Sequence, residues 1–422
     1  MRLNTGKVTF SIIGAGARST NYVKALEERY KDNFEIVAIA EPIKAKRDYF
    51  VQKYNIPSEN VFSDYREFNK RERLSDVVII GTLDDMHFEP AISALEKGYD
   101  LILEKPISMN LKETVVVGDV ASKYPNQMVA VCHVLRHSPF FVKVKELCDS
   151  KELGNIVDIQ HTEYIGYYHF AHSYVRGNWR NTDIAAPISV AKTCHDFDLL
   201  LYLLGNDVHC EYVSSMGELT FFNSKNYDEK KMAKNCRNCS KEAECPYSAI
   251  KIYTEEMITA VVFDKSTAER FLANIDELGY GRCVFACDNN VPDHQVTIMQ
   301  FSNGIHATFN MTAFSPSIYR EIRIMCEYGE IHGNEETSEI EVIEFGGKRR
   351  TIKVPKGTSG HNGADAEFIT NFMESYLYKK PFDSAIQDSI ESHVVAFAAE
   401  DSRKENGKNI HIPTYWKDEL EK

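Results

Sequence analysis

The stretch that most constrains this chain is Val8-Thr9-Phe10-Ser11-Ile12-Ile13-Gly14-Ala15-Gly16-Ala17-Arg18-Ser19, an apolar, β-branched run that breaks into glycine and then into a helical pattern. A strand that feeds a tight glycine turn and a helix is the opening of a dinucleotide-binding unit. Gly14 permits the turn. Gly16, lacking a Cβ, lets the backbone approach a pyrophosphate at the N-terminus of the next helix. Ala17 and Arg18 complete the turn, and Ser19 stands at the third small position. A second apolar run, 34–40, ends at Glu41, which lies 22 residues beyond Ser19, where such units place a carboxylate on the ribose hydroxyls. A carboxylate there repels a 2′-phosphate, so NAD is the expected cofactor.

The pattern around this turn sets the domain organisation. At 422 residues the chain is long for one core and suggests two domains. Strand patterns at 8–13, 34–40, 76–80, 100–103 and 128–132 alternate with helical ones at 20–30, 44–54, 87–97 and 110–123. This is an α/β Rossmann domain, a doubly wound parallel sheet, over 1–133. Its ligand belongs beyond the strands' carboxyl ends, which points to loops 14–19, 81–87 and 104–107.

After residue 133 the texture changes. A helix at 140–148 precedes a long alternating strand at 156–168, with further strands at 257–263, 294–301, 305–314, 322–327 and 340–345. Helices are expected at 187–204, 361–378 and 384–403. Short turns such as Ser302-Asn303-Gly304 imply an α+β C-terminal domain, 134–422, with a large, mostly antiparallel open sheet. A cysteine-containing insertion occupies about 224–250.

Bulk properties exclude some classes. A net charge of −13 argues against nucleic acid, whose binding needs a concentrated basic face. No apolar run is long enough to span a bilayer, and the first strand is entered without a basic or apolar leader, so a cytoplasmic protein is expected. Ten cysteines in such a compartment read as thiols or metal ligands before disulfides. Cys236, Cys239 and Cys245 are clustered, and three thiols leave one position of a tetrahedral metal site open. Cys283 or Cys287 is the candidate for it. A structural zinc is one expectation, a metal-free thiol group the other; an iron–sulfur cluster is the weaker third.

The sharpest local signal is Glu104-Lys105-Pro106 directly after Leu101-Ile102-Leu103, which puts a lysine at the carboxyl end of a buried strand. Together with the glycine turn, this resembles the Gfo/Idh/MocA family of NAD(P)-dependent sugar and polyol oxidoreductases. The resemblance implies that Lys105 lies beside the nicotinamide and the reacting carbon, with Glu104 at the same edge. It implies that Thr82 and His87 of Gly81-Thr82-Leu83-Asp84-Asp85-Met86-His87 approach the cofactor. Asp84 and Asp85 are better read as helix caps. It also implies that the open sheet makes a homo-oligomer contact.

Oxidising a secondary alcohol requires a group that takes the hydroxyl proton as hydride leaves, and histidine, with a pKa near about 6.5, suits the task. On one helix over 187–204, Lys192 and His195 share a face, and Asp198 is placed to orient His195. The family pattern carries an aspartate four residues before this histidine; Ala191 stands there. Lys105, His195 and Lys192 therefore all remain candidates for the base, with Lys192 either on substrate or paired to Asp196. The segment 169–180 supplies His172, Arg176, Trp179 and Arg180 for a carbohydrate, Trp179 alternatively packing into a partner subunit. Arg136 and His133 are weaker candidates of the same kind. His361 to Asp365 either returns to the cleft or caps the late helix.

The expected function is NAD-dependent oxidation or reduction of a secondary hydroxyl on a sugar, glycoside or cyclitol. The alternative is an NAD-retaining glycoside hydrolase that oxidises, eliminates, hydrates and re-reduces. A non-catalytic dinucleotide sensor is a third, against which the presence of Lys105 and His195 argues.

Overall fold

The computed structural model describes residues 6–256, 265–357, 361–380 and 382–421. Six strands form the first sheet: β1 (Val8–Ile13), β2 (Phe34–Ala40), β3 (Val61–Phe62), β4 (Val77–Ile80), β5 (Asp100–Leu103) and β6 (Val129–Val131). Their order is β3-β2-β1-β4-β5-β6, and every pairing is parallel. β1 and β4 are buried along their whole length because helices cover both faces, which is why they read as continuous apolar runs. The order reverses at β1, so the crevice beyond β1 and β4 is the topological switch point.

The second sheet contains nine strands in the order β14-β13-β12-β11-β7-β10-β9-β8-β15. In chain order these are β7 (Ile156–Tyr164), β8 (Cys210–Glu218), β9 (His294–Phe301), β10 (His306–Thr312), β11 (Tyr319–Cys326), β12 (Gly329–Asn334), β13 (Glu339–Glu344), β14 (Arg349–Lys353) and β15 (Ile410–His411). Among the described residues only the β7–β10 pair of this sheet is parallel; the other pairings are antiparallel. Strands β8, β12, β14 and β15 add to those expected from sequence. Gly329-Glu330-Ile331-His332-Gly333-Asn334 carries a single aliphatic residue and little strand signal of its own. The strand expected at 257–263 lies outside the described residues.

Two expected elements are cut short. β7 ends at Tyr164 because Gly166, at φ 81°, turns the chain into a short helix, Tyr167–Phe170. The helix expected over 187–204 is two, Ile188–Ala191 and Cys194–Leu204, parted at Lys192 (φ −124°, ψ −61°). That break removes the premise on which Lys192 and His195 were put on one helical face.

The late helix Ala364–Tyr378 returns to the first sheet's side of the molecule. Its Phe368 and Phe372 join the core formed by Phe10, Ile12, Tyr22 and Leu26. Ring centroids lie 5.8 Å apart for Tyr22 and Phe368 and 6.5 Å for Phe10 and Phe372. The following helix, Ile386–Lys404, packs within the core shared with the second sheet.

Candidate active site

The glycine turn opens a cleft of about 570 Å³, whose walls include Gly14, Gly16, Ala17, Arg18, Glu41 and Thr82. Gly14 has φ 84°, and a Cβ there would meet the Gly81 carbonyl oxygen at 2.7 Å, so two loops of the first domain close on each other only through glycine. Gly16 caps the helix Ala17–Tyr30 with no side-chain hydrogen bond, which leaves first-turn N–H groups for an anion. Glu41 is buried and accepts from the backbone N–H of Ala15 (2.7 Å) and of Ile43 (2.9 Å). Each of its oxygens keeps a lone pair for a ribose hydroxyl. These groups fit a dinucleotide. Ser19 serves the turn itself, donating to the Gly14 carbonyl at 2.6 Å.

Other expected contacts are engaged within the protein. The Arg18 guanidinium donates to Glu104 (2.8 Å) and to both oxygens of Asp365 (2.8 and 2.9 Å), so it fastens the late helix and is not free for phosphate. The Thr82 hydroxyl donates to the Met86 carbonyl at 3.0 Å. The His87 ring bridges the carbonyls of Pro106 (2.6 Å) and Thr82 (3.3 Å), bracketing two cofactor-side loops. Asp84 caps no helix: its buried carboxylate accepts the indole N–H of Trp179 at 3.0 Å, a contact between domains that corrects the capping expectation.

At the end of β5 Glu104 is buried, and its carboxylate also takes the Tyr22 hydroxyl. Burial alone would raise its pKa, but the charges of Arg18 and Lys105 outweigh that and hold it below the ordinary value. Lys105 then points away from the sheet, and its Nζ donates to the Ala191 carbonyl at 2.6 Å. That carbonyl ends the short helix before the break, so the helix interruption supplies an acceptor where the family pattern has a carboxylate.

His195 follows four residues later and is almost fully buried, with Nδ1 unpartnered among the described residues. Burial, then the charge of Lys105, presses its pKa well below the ordinary histidine value, so it is neutral. Asp198 does not orient it. That carboxylate is held by Arg136 through two bonds of 2.7 Å. The rings around His195 are instead His133 (5.6 Å between centroids) and His361 (5.9 Å). Both nitrogens of His133 are buried without a hydrogen bond among the described residues, Nε2 lying 3.7 Å from Asp198. His361 bonds Asp365 at 3.0 Å, and Asp365 in turn takes Arg18 of the glycine turn, so this turn packs beside the cleft.

Lys192 pairs with Glu163 at 2.9 Å and not with Asp196. Asp196 belongs to a buried network, accepting from Arg320 at 2.7 Å and bonding His161 at 2.8 Å, while Arg320 also reaches Glu163 at 2.7 Å. Sequence reasoning passed over Glu163, His161 and Arg320. The available signal was a histidine and a glutamate on the inward-facing positions of β7, alternating with Ile159. Such groups are buried only when partnered.

The segment 169–180 divides in the same way. His172 bonds the Tyr253 hydroxyl (2.8 Å) and stacks on Tyr280; burial and Arg176 lower its pKa to about 4. Arg176 is buried and donates to the carbonyls of Arg282 (2.8 Å) and Tyr247 (2.7 Å). Arg180 is held by Asp288 at 2.8 and 3.1 Å. These three are tied to the insertion and to the segment that follows it. Trp179 alone of the four reaches the site, on the wall of the cofactor cleft and with Lys105 Nζ 6.0 Å from its ring centre.

All ten cysteines are free thiols. Cys236, Cys239, Cys245 and Cys283 line one small cavity of about 50 Å³, whereas the Cys287 thiol turns to the Cys283 carbonyl. Among the described residues no three His, Cys, Asp or Glu side chains form a group that could hold a metal ion. The zinc expected at Cys236, Cys239 and Cys245 is therefore not supported. Also among the described residues, no helix is long and apolar enough to cross a membrane.

A parallel sheet of this order, a glycine turn on its switch point and a lysine at the end of β5 define a dinucleotide-dependent oxidoreductase unit joined to an α/β domain. Family models agree: residues 8–133 match the oxidoreductase family with an NAD-binding Rossmann fold, and residues 145–411 match that family's C-terminal alpha/beta domain. The chain belongs to the Gfo/Idh/MocA oxidoreductase family. It is 25% identical over 380 residues to the putative oxidoreductase YteT of Bacillus subtilis, covering 85% of this chain and 86% of that protein. It is 22% identical over 197 residues to inositol 2-dehydrogenase of Salmonella typhimurium, 46% of this chain and 54% of that one. Among solved structures, an inositol dehydrogenase homolog from Azotobacter vinelandii complexed with NADH and myo-inositol superposes with a TM-score of 0.67 at 13% identity, covering 96% of this chain and 98% of that one.

Proposed function

We propose that the protein moves hydride between a nicotinamide cofactor, NAD, and a secondary hydroxyl of a sugar, glycoside or cyclitol. The observation that carries this is the meeting of Lys105 and His195 where the cofactor cleft joins the second domain. Bound NAD supplies the hydride acceptor. The Lys105 ammonium has three donors and gives one to Ala191, so two remain for the substrate oxygen. A neutral His195 can take the hydroxyl proton on a ring nitrogen. His133 and His361 flank it, and Lys192, fixed by Glu163, adds positive charge near His361. The inositol and dihydrodiol dehydrogenases among the relatives support a cyclic polyol as substrate.

A second reading begins with the same hydride step: the protein keeps its NAD, and the hydride taken from a glycoside is returned after elimination and hydration. Trp179, on the wall of the cofactor cleft, favours it. Mass spectrometry of a panel of cyclitols, free sugars and glycosides, incubated with the protein with and without added NAD, tests both. A product two hydrogens lighter, formed in step with NADH, is the dehydrogenase result. Free sugar released from a glycoside without net NADH is the hydrolase result. If NAD binds and no member of the panel changes, both are overturned in favour of a sensor. The cytoplasm as its location and assembly into a homo-oligomer through the open sheet belong to the same proposal.

A further inference from the structure

We propose that His133 is a second proton acceptor behind His195, so that the proton a substrate hydroxyl gives to His195 is passed on to a ring that faces Asp198. The inference rests on the reading of His195 as the base and adds where the proton is held while the cleft is occupied.

His133 lies just beyond β6 and is fully buried, and among the described residues neither of its ring nitrogens makes a hydrogen bond. A buried polar ring left in this state costs stability, so its presence calls for a use. Two other imidazoles lie against it: His195 at 5.6 Å between centroids, edge to face at 83°, and His393 at 5.2 Å. His393 is committed, its Nδ1 donating to the Ser389 carbonyl at 2.8 Å and its Nε2 accepting the Ile107 N–H at 3.2 Å. It can neither give nor take a proton without losing a bond. His195 is not committed in this way. Its Nδ1 is buried without a hydrogen bond among the described residues, so a substrate in the cleft meets the other nitrogen, Nε2, and Nδ1 is left for the protein. At this ring separation a turn about a Cβ–Cγ bond brings a His195 nitrogen and a His133 nitrogen to hydrogen-bond distance.

Other acceptors near His195 are taken. The carboxylates closest to it in sequence, Asp196 and Asp198, are bonded by Arg320 and Arg136. His361, 5.9 Å away, is bonded to Asp365 and partly exposed, so a proton there is not held away from solvent. Charge also favours His133. Lys105 is the charge that weighs most against a proton on His195, whereas a proton one ring further on lies beside Asp198, whose carboxylate is 3.7 Å from His133 Nε2. Arg136 bonds that carboxylate twice at 2.7 Å and holds it in place. Burial opposes a proton on either ring, and at His133 Arg136 and Lys105 add to it, so donor and acceptor are alike and neither keeps the proton at rest. As the substrate carbon gives its hydride to bound NAD, the O–H bond breaks toward His195 Nε2 and the electron pair left on oxygen closes the carbonyl. The Nδ1 proton of His195 crosses to His133. It returns through the same two rings, to solvent once product has left, or to the substrate where the hydride is given back.

The test uses the full-length chain, NAD, and the compound of the cyclitol, sugar and glycoside panel that the parent converts fastest. His133→Gln keeps a polar side chain of similar size that cannot carry a proton. Its kcat is expected to fall about 10²-fold, with KM and the NAD affinity from fluorescence titration within about twofold of the parent's. The solvent deuterium isotope effect should rise and the effect of deuterium on the reacting carbon should shrink, because proton transfer has become the slower step. Parent values of both isotope effects in a slowed variant mean that the ring only shapes the pocket, and they overturn the relay. So does an unchanged kcat. His133→Ala supplies a second arm. Added imidazole should restore its rate, and pyrazole, of the same shape but too weak a base to carry the proton, should not. Equal recovery with both, or with neither, overturns the relay, and this arm decides if His133→Gln melts early. A parent that binds NAD and converts no compound of the panel refutes His195 as the base, a result distinct from a parent that turns over and variants that match it.

Discussion

At the scale of single residues the site depends on a few charges whose partners lie far away in sequence. Lys105 lies beside Trp179 on the wall of the cofactor cleft and sets its charge against His195. Lys105→Ala should lower kcat about 10²- to 10⁴-fold in the hydride-transfer assay. Glu41→Ala should weaken NAD binding about 10- to 100-fold, with a smaller loss for NADP, read by fluorescence titration of both cofactors. Equal losses for the two would remove Glu41 from the ribose. The types of residue at this site were legible in the sequence, because a lysine after a buried strand and a carboxylate after the second strand each occupy a position fixed by local geometry. Their partners were not. Asp198 lies three residues from His195 yet goes to Arg136, and Lys192 goes to Glu163 on another element. Such pairings are chosen by burial, which leaves a carboxylate to the nearest cation in space.

At the scale of elements, legibility followed environment. Strands β1, β2, β4 and β5 were plain because parallel strands covered on both faces are apolar throughout. The interruption at Lys192 was hidden, since Ile188 to Leu204 is apolar enough to read as one helix, and the break is stabilised from outside by Lys105 on the Ala191 carbonyl. The late helix illustrates the same limit. Its amphipathic pattern announces a helix and says nothing of which domain it covers. Phe372 is fully buried against the first sheet. Phe372→Ala should cost about 3–5 kcal/mol of stability, measured by urea denaturation, and should weaken NAD binding because Arg18 and Asp365 loosen with the helix. A loss of stability under about 1 kcal/mol would show that the helix is a peripheral addition.

At the scale of the whole molecule, buried neutral histidines make stability depend on acidity. Burial presses His133 and His195 well below the ordinary value and takes His137 and His393 to about 3. The unfolded chain binds protons at these four positions from about pH 6.5 downward, whereas the folded chain does not. Their contribution is therefore complete above about pH 6.5 and is lost progressively as pH falls below it. The urea midpoint should begin to fall near pH 6, well before exposed carboxylates titrate. A midpoint flat from pH 7 to 4.5 would mean that these rings are hydrated and titrate normally.

The return of the helix Ala364–Tyr378 to the first sheet also decides what can be cut and moved. The chain passes between the two units three times: after β6, before that helix and again after it. A fragment ending at residue 133 would contain every strand of the first sheet and lack the cover over Phe10, Ile12 and Tyr22. Grafting the cofactor-binding half onto another scaffold, or dividing the chain into two co-expressed pieces, must therefore carry residues 361–378 with the N-terminal piece. The boundary of the portable module is drawn by packing, and it encloses two separate stretches of the chain.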